Sequence, residues 1–417
     1  MSEWKRYKLS ELYEMSSGIS STKEQAGHGS PFLSFSVVFN NYFLPDSLID
    51  LMDTTDGEKK KYSINEGDIF LTRTSETVDE LAMSSVALKD YPEASFSGFL
   101  KRLRPVDKTI VYPKFMAFYL RSPLFRRTII NNTVMTLRAS FNEVMFSYLE
   151  IMLPDFDTQK KIGDFLYSLE KKKQINNQIN QELEAMAKTL YDYWFVQFDF
   201  PDQNGKPYKS SGGKMVYHPE LKREIPEGWG VIKLNEVVDL ISGYPFSSND
   251  YVTSGKYKLY TIKNVQDGYT VDKVDNYLDF LPSNMSHECQ LRRGDLIMSL
   301  TGNVGRVGMV YEDDVLLNQR VLKLNPINKT HKSFIYSFFR SDVTKAHLEN
   351  MSTGTSQKNL SPIDIGNMMI PFPSESLLSK FLNNLNMLEN NLVENQQLTQ
   401  LRDWLLPMLM NGQVKVE

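Results

Sequence analysis

The sequence predicts a mixed α/β (α+β) fold written twice: two similar globular domains, each followed by one long helix. Three observations predict it. Ordered segments of the first half return in the second. Each repeat opens with short β-type runs broken by polar turns and closes on a long amphipathic helical stretch. A segment dense in Gly, Pro, Ser and Lys lies between the two, as expected of a linker or extended loop.

The repeat is explicit. "WKRYKLSELYEMSSG" (4–18) returns as "WGVIKLNEVVDLISG" (229–243), with Trp, Lys-Leu, Glu and Ser-Gly aligned without a gap. "GDIFLTRTSE" (67–76) returns as "GDLIMSLTGN" (294–303), "FLKRLRP" (99–105) as "RVLKLNP" (320–326), and "YLRSPLF" (119–125) as "FFRSDVT" (338–344). "LEIMLPDF" (149–156) returns as "GNMMIPFP" (366–373). Ordered matches of this kind indicate a duplicated unit.

The organisation follows: a first globular domain over 1–154, a long helix over 155–200, a linker over 201–228, a second globular domain over 229–372, and a second long helix over 373–412. The first helix places Ile162, Phe165, Leu169, Ile179, Leu183, Met186, Leu190 and Tyr193 at 3-4 spacing, interrupted by Lys172 and Asn176. The second places Leu378, Phe381, Leu385, Leu388 and Leu392, breaks at Asn395, and resumes with Leu398, Leu401 and Leu405 after a phase shift. A narrow apolar stripe on a polar helix reads as a coiled-coil seam. Two helices packed on their own globular parts is the alternative. Matching lengths and matching polar breaks favour pairing, and an internal two-fold makes the pair antiparallel, so that one chain imitates a symmetric dimer.

Composition sets the limits. A chain of 417 residues, 41% hydrophobic, is long enough for two or three packed domains. Its single cysteine, Cys289, excludes a disulfide framework. No apolar run approaches the ~20 residues of a membrane span, and the N-terminus carries no secretory h-region. These features point to a cytoplasmic protein without a membrane role. The net charge of −4 gives no simple basic signature.

Catalytic motifs are few. The five histidines (His28, His218, His287, His331, His347) are scattered, and there is no phosphate-binding P-loop. "GNVGRVG" (302–308) reads as a hairpin turn. A loose nuclease pattern of Pro-Asp followed by Glu and Lys occurs at Pro45-Asp46 with Glu58-Lys59-Lys60, and at Pro154-Asp155 with Glu170-Lys171-Lys172. Two carboxylates and a Lys could hold Mg²⁺ and stabilise charge, but helix capping and a solvated face explain the second occurrence. Asn325-Pro326-Ile327-Asn328 lacks the aromatic of a base-methylating loop.

Charge distribution is more informative. Lys101 to Arg138 holds nine Lys/Arg against one acid, Asp107. Arg320 to Lys358 holds seven against Asp342 and Glu349. Surface charge on an acidic chain is one reading. The other is a basic face on each domain, turned to phosphates. These stretches end in "TLRAS" (136–140) and "TSQKN" (355–359), which set Arg138 opposite Gln357. Both side chains can read a purine through two hydrogen bonds.

Taken together, the chain resembles the specificity subunit of a type I restriction-modification system. The resemblance rests on "IPEGW" (225–229), the two Gly-Asp strands, "LNQRVLKLNP" (317–326), "GTSQKNLSPIDIGNMMIPFP" (354–373), and the helix ends "LYDYWFVQFDFP" (190–201) and "LRDWLLPMLMNG" (401–412). It implies two target recognition domains, each reading one half of a bipartite double-stranded DNA site. The helix pair would act as spacer and as dock for two methyltransferase subunits, joined by restriction (nuclease-translocase) subunits. It implies no active site in this chain; S-adenosylmethionine, ATP and Mg²⁺ belong to the partners. A self-contained two-domain nuclease or DNA methyltransferase is the alternative, and a repeat adaptor that binds only protein is a second. The candidate DNA-contacting residues are Arg73, Thr74, Ser75, Lys101, Arg102, Lys114 and Arg138 in the first domain. In the second they are Lys263, Asn264, Thr301, Asn303, Arg306, Gln319, Arg320, Gln357 and Lys358.

Overall fold

The structure, a computed structural model, describes residues 4–20, 22–133, 139–354, 358–381 and 383–416. It divides into two compact units. One comprises Met1–Lys172 with Leu398–Glu417, the other Lys173–Gln397. Each unit therefore holds one globular domain and parts of both long helices.

In the first unit, β1 (Tyr13–Ser17), β2 (Ile69–Thr72), β3 (Ser84–Val86) and β4 (Leu100–Pro105) form an antiparallel sheet in the order β1-β4-β2-β3. A smaller sheet of Leu51–Met52, Ala26–Leu33 and Ser95–Phe96 lies in the same domain. The entry strand Lys5–Lys8 pairs antiparallel with Glu150–Leu153, which leads into α1 (Phe156–Tyr191). The helices Pro113–Tyr119 and Pro123–Asn132 follow β4. Phe115, Phe118 and Phe125 on them are fully buried with Ile69 and Leu103 of the sheet, and the same core takes in Ile162 and Leu166 of α1 with Leu406 and Leu409.

The second unit repeats this plan. β5 (Val238–Ser242), β6 (Gly268–Tyr269), β7 (Leu296–Ser299), β8 (Val307–Met309) and β9 (Val321–Pro326) form the order β5-β9-β7-β8-β6. The first four are antiparallel and β6 joins β8 in parallel. The entry strand Gly230–Lys233 pairs with Met369–Phe372, as its counterpart does in the first unit. The last long helix is α2 (Asn383–Met410), preceded by Glu375–Phe381. Segment 201–228 is not a bare linker: Met215–His218 and Arg223–Pro226 form a hairpin, and Phe200 stacks on both Tyr208 and Trp229.

The recurring residues have physical reasons. Gly67 and Gly294 turn with φ of 92° and 84°, in the left-handed region that glycine enters freely. The aspartate after each accepts the N–H three residues before it, Asn65 to Asp68 at 2.8 Å and Arg292 to Asp295 at 2.8 Å. A cation on the neighbouring strand completes each turn: Arg104 bonds Asp68 at 2.6 Å, and Lys323 pairs with Asp295 at 3.1 Å. Gly18 and Gly243 end β1 and β5 where the chain runs against backbone. A Cβ there would collide with the carbonyls of Phe96 and Ser97, or of Asn318. Ser122 and Ser341 each cap the following helix, accepting from Phe125 N and Thr344 N.

The long helices pair antiparallel, through only part of the expected seam. In the second unit Asn176 faces Asn395 while Asn180 faces Asn391, so one chain rises as the other falls. Asn176 Nδ2 donates to Asn395 Oδ1 at 3.0 Å and to Glu394 Oε2 at 2.7 Å, and Asn391 donates to Asn180 Oδ1 at 2.8 Å. In the first unit Arg402 on α2 bonds Glu170 on α1 at 3.0 Å. Ile162, Leu183, Leu378, Phe381, Leu385 and Leu388 are buried as expected. Ile179, Met186, Tyr193 and Leu401 instead face solvent, and Asn176, predicted to interrupt the seam, is 1% exposed within it. Amide-to-amide bonds cross the pair, so an apolar side chain is not required there, and Asn176 Oδ1 and Asn180 Nδ2 are left buried without a partner among the described residues. The apolar residues left outside, Ile175, Ile179, Met186 and Tyr193, fall on one face of α1 and the turn after it, with half-buried Leu190 beside them.

Candidate nucleic-acid interface

Each domain gathers its candidate loops at the end of its Gly-Asp strand. In the first, the Arg73 N–H donates to Phe99 O at 2.9 Å, and Arg73 O accepts from Phe141 N at 2.8 Å. In the second, the Leu300 N–H donates to Arg320 O at 3.0 Å, and Leu300 O accepts from Leu360 N at 2.9 Å. These are the same two bonds at aligned positions. They tie three distant segments: the loop after the Gly-Asp strand, the start of the next long strand, and the segment after "TLRAS" or "TSQKN". A short antiparallel pairing extends each knot, Thr74 with Ser140 and Ser75 with Ala139 in one, Thr301 with Asn359 in the other.

Arg138 and Gln357 lie outside the described residues. The segments on which they were predicted adjoin these knots through Ala139 and Lys358.

Several candidates are presented to solvent. Arg73 is exposed, and Thr74 and Ser75 are half-buried beside it. Asn303, Gln319, Arg320 and Lys358 are exposed, and Arg306 is half-buried with its Nη1 at 3.4 Å from Gln266 Oε1. Asn303, Arg306 and Lys358 line one concavity of about 700 Å³ together with Gln266, Tyr269 and Lys345. Lys263 is exposed and paired with Asp275 at 2.7 Å.

Other candidates are engaged within the protein: Lys101, Arg102, Asn264 and Thr301 are buried, and Lys114 is half-buried in an ion pair. Lys101 is 3% exposed and donates to Ser17 Oγ at 2.9 Å and Glu143 Oε1 at 2.6 Å. The hydrogen bond from Lys101, with its charge, holds the Glu143 carboxyl below the usual carboxylate range. Arg102 is buried, with Nη1 on Ser63 O at 2.6 Å; burial, then the neighbouring Arg104 charge, lowers its guanidinium from the usual value. Lys114 bonds Asp164 at 2.7 Å and lies 4.3 Å from the centre of the Tyr167 ring. Asn264 is buried and shapes its own loop: Oδ1 accepts from Thr261 N at 3.0 Å, and Nδ2 donates to Val271 O and Lys273 O at 2.9 Å each. Thr301 is buried within the knot.

The basic stretches are therefore not continuous basic faces. Arg104 and Lys114 in the first pair with Asp68 and Asp164, and Arg121 and Arg126 give their guanidinium hydrogens to backbone carbonyls. Burial pushes the Arg121 guanidinium down to about 10, so it remains a cation at neutral pH. In the second, Lys323, Lys332 and Arg340 pair with Glu288, Glu389 and Glu184. These carboxylates lie far away in sequence, where a local count of charge does not see them.

Reasoning from sequence missed Gln266, Tyr269 and Lys345 in the concavity. It also missed Phe99, 65% exposed and aligned with exposed Arg320 at the edge of its knot. Single side chains on turns carry no periodic signal, although the alignment of Phe99 with Arg320 could have drawn notice to both. Among the described residues no group of three or more His, Cys, Asp or Glu is arranged to hold a metal ion, and no helix is long and apolar enough to cross a membrane.

The comparisons with known proteins agree with this architecture. The family described as "Type I restriction modification DNA specificity domain" matches residues 1–185 and again 226–401. The chain is 24% identical to the HindI specificity subunit of a type I restriction enzyme from Haemophilus influenzae, covering 99% of this chain and 100% of that protein. It is 26% identical to the MjaIX specificity subunit of a type I restriction enzyme from Methanocaldococcus jannaschii, over 64% of this chain and 61% of that one. A crystal structure of the S subunit of a type I restriction-modification system from M. genitalium superposes with a TM-score of 0.54 at 15% identity, covering 98% of this chain and 96% of that one. With both repeats matched by one description and both carrying the same knot, the chain belongs to the type I restriction-modification DNA specificity family.

Proposed function

We propose that this chain is the non-catalytic subunit that gives a type I restriction-modification enzyme its DNA sequence specificity, each globular domain reading one half of a bipartite site. The observation that carries this reading is the recurrence of the backbone knot at Arg73 and Leu300. One scaffold, built twice, presents different side chains at aligned positions: Phe99 against Arg320, both exposed, and an exposed Arg73 where the second domain buries Leu300. Different side chains on one frame suit two different half-sites, because base edges are told apart by the donors and acceptors that meet them.

The paired long helices serve as the spacer between the half-sites and as the dock for two methyltransferase subunits. The exposed apolar stripe of Ile175, Ile179, Met186 and Tyr193 supports the docking role, since an unpartnered apolar face of this kind marks an interaction surface. Restriction subunits join that assembly. S-adenosylmethionine, ATP and Mg²⁺ are used by the partners. Many of this chain's cations are committed to internal pairs, so it binds DNA weakly alone, and the partners supply further phosphate contacts.

The test is domain exchange. Residues 1–154 are replaced by the matching domain of a relative, and the modification motif of the assembled methyltransferase is mapped by long-read sequencing. One half of the motif changes and the other stays. Change in both halves, or in neither, overturns the reading.

A further inference from the structure

The second domain holds a turn that no sequence motif announced. Gln266–Tyr269 runs along the lip of the concavity that also takes in Asn303, Arg306 and Lys358. Gly268 sits at its centre with φ of 103°, and a Cβ there would meet the Glu184 carboxylate and the Arg340 guanidinium. The turn is clamped from below. Arg340 Nε donates to Asp267 Oδ1 at 2.8 Å, and Lys345 Nζ to Asp267 Oδ2 at 2.7 Å. The two Nη groups of Arg340 reach Glu184 of α1 at 3.3 Å each, and the Tyr336 hydroxyl donates to Gly268 O at 3.0 Å. Burial raises the Asp267 carboxyl, but Lys345 and Arg340 outweigh it and hold it below the usual range.

The first domain repeats the device with other atoms. Arg121, which aligns with Arg340, donates to Val38 O, Phe39 O and Asn41 O at 2.8 to 3.0 Å. The chain then pairs Phe43 in parallel with Val86, as Tyr269 pairs with Met309. Tyr42 lies between the Arg121 and Arg402 guanidiniums, 4.9 and 5.0 Å from its ring centre. Each domain thus holds this segment between its own arginine and a charged side chain of a long helix, Glu184 in one and Arg402 in the other. A clamp made twice from different atoms implies that the segment's position matters.

The residues it presents have reading chemistry. Tyr269 is exposed, and the half-buried Gln266 holds its carboxamide at the lip, Nε2 donating to Lys263 O at 3.0 Å and Oε1 accepting from Arg306 Nη1 at 3.4 Å; on exchanging those two bonds it can bond an adenine edge at two points. Fixing a turn in advance lowers the ordering cost of binding. We infer that the Gln266–Tyr269 turn determines specificity for the second half-site, Gln266 and Tyr269 contacting DNA while Asp267 and Arg340 are positioning residues that fix the turn to α1 through Glu184. This rests on the recognition reading above.

The experiment uses the chain assembled with its methyltransferase subunits and duplexes in which each half-site base is varied singly, with methylation read by sequencing. Gln266→Ala relaxes discrimination at one or more positions of the second half-site by about tenfold and leaves the first half-site unchanged. Arg340→Lys keeps a charge but cannot span Asp267 and Glu184, and it relaxes the same positions. Should Arg340→Lys fail to fold, the surface variants Gln266→Ala and Tyr269→Ala decide alone. Full discrimination in both of those, or equal loss at both half-sites, overturns the inference while the recognition reading stands. A wild-type complex that methylates no bipartite sequence overturns the reading, and this inference with it.

Discussion

The Lys101 ammonium donates to the Glu143 carboxylate at 2.6 Å across 42 residues of sequence. Lys101 begins the most basic stretch of the chain, yet it points into its own domain, towards Ser17 as well as Glu143. The pair braces β1, β4 and the helix Glu143–Tyr148 directly behind the knot at Arg73. A cation that looked like a phosphate contact holds the frame of the reading loops.

This pair gives a pH-dependent prediction. Glu143→Gln leaves a nearly buried ammonium without its carboxylate. The variant is less stable near pH 7 by about 1 kcal/mol, a figure kept low because Glu143 is itself open to solvent. The folded-state pKa of Glu143 is depressed, so its contribution is present above the ordinary carboxylate range and is lost as pH falls through the lowered value. Urea titrations of both proteins at pH 7 and pH 3 should show the difference shrinking on acidification. A difference that persists unchanged at pH 3 counts against the pair.

Salt dependence separates committed cations from free ones. Lys114 is engaged with Asp164, whereas Arg320 is exposed at the edge of its knot. Arg320→Ala should lower the slope of log affinity against log salt by roughly one for the assembled methyltransferase. Lys114→Ala should leave that slope unaltered. Equal slopes for Arg320→Ala and wild type would show that Arg320 meets no phosphate.

The amide seam predicts its own energetics. Asn176→Ala removes two hydrogen bonds from a nearly dry site, at a cost of ~1–3 kcal/mol. Replacing both Asn176 and Asn395 by Leu should restore or exceed wild-type stability while loosening the register that paired asparagines specify. Chemical denaturation measures the first effect, and the spread of spacer lengths methylated measures the second. A single spacer length in the double variant would remove the asparagines from any role in register.

Glycine substitutions test the close approach at the repeat's Ser-Gly. Gly243→Ala places a methyl against the Asn318 and Leu317 carbonyls and should cost about 1–3 kcal/mol. Gly57, whose nearest neighbour to an added Cβ lies at 4.0 Å, is the contrasting site. There Ala should be neutral or stabilising by up to ~1 kcal/mol, through lost freedom of the unfolded chain. Thermal melts of both variants compare them, and equal losses would refute the contrast.

What the sequence revealed follows from where the physics is local. The Gly-Asp turns and the short segments that carry Ser122 and Ser341 are set within a few residues, so their recurrence was visible. Part of the helix seam was misplaced because Asn176 and Asn395 bond each other from distant positions, and counting apolar residues selects Ile179 and Met186 instead. The basic stretches misled for the same reason, since Asp68, Asp164 and Glu184 lie outside the windows in which charge was summed. Gln266 and Tyr269 gave no signal, because their place depends on a clamp drawn from α1 and the helix bearing Arg340.

The knots at Arg73 and Leu300 are tied by main-chain atoms alone, and every residue except proline carries the N–H they require. Of the four positions whose N–H is used, Leu300, Phe141 and Leu360 are also held by burial in the cores, so position 73, exposed at the rim, is the one that accepts any residue but proline without loosening the frame. At 99 and 320 only a carbonyl is needed, so even proline satisfies the bond there. Side chains at the rim can thus be exchanged one letter at a time, and a population of such proteins can drift from one DNA word to another without first passing through an unfolded sentence.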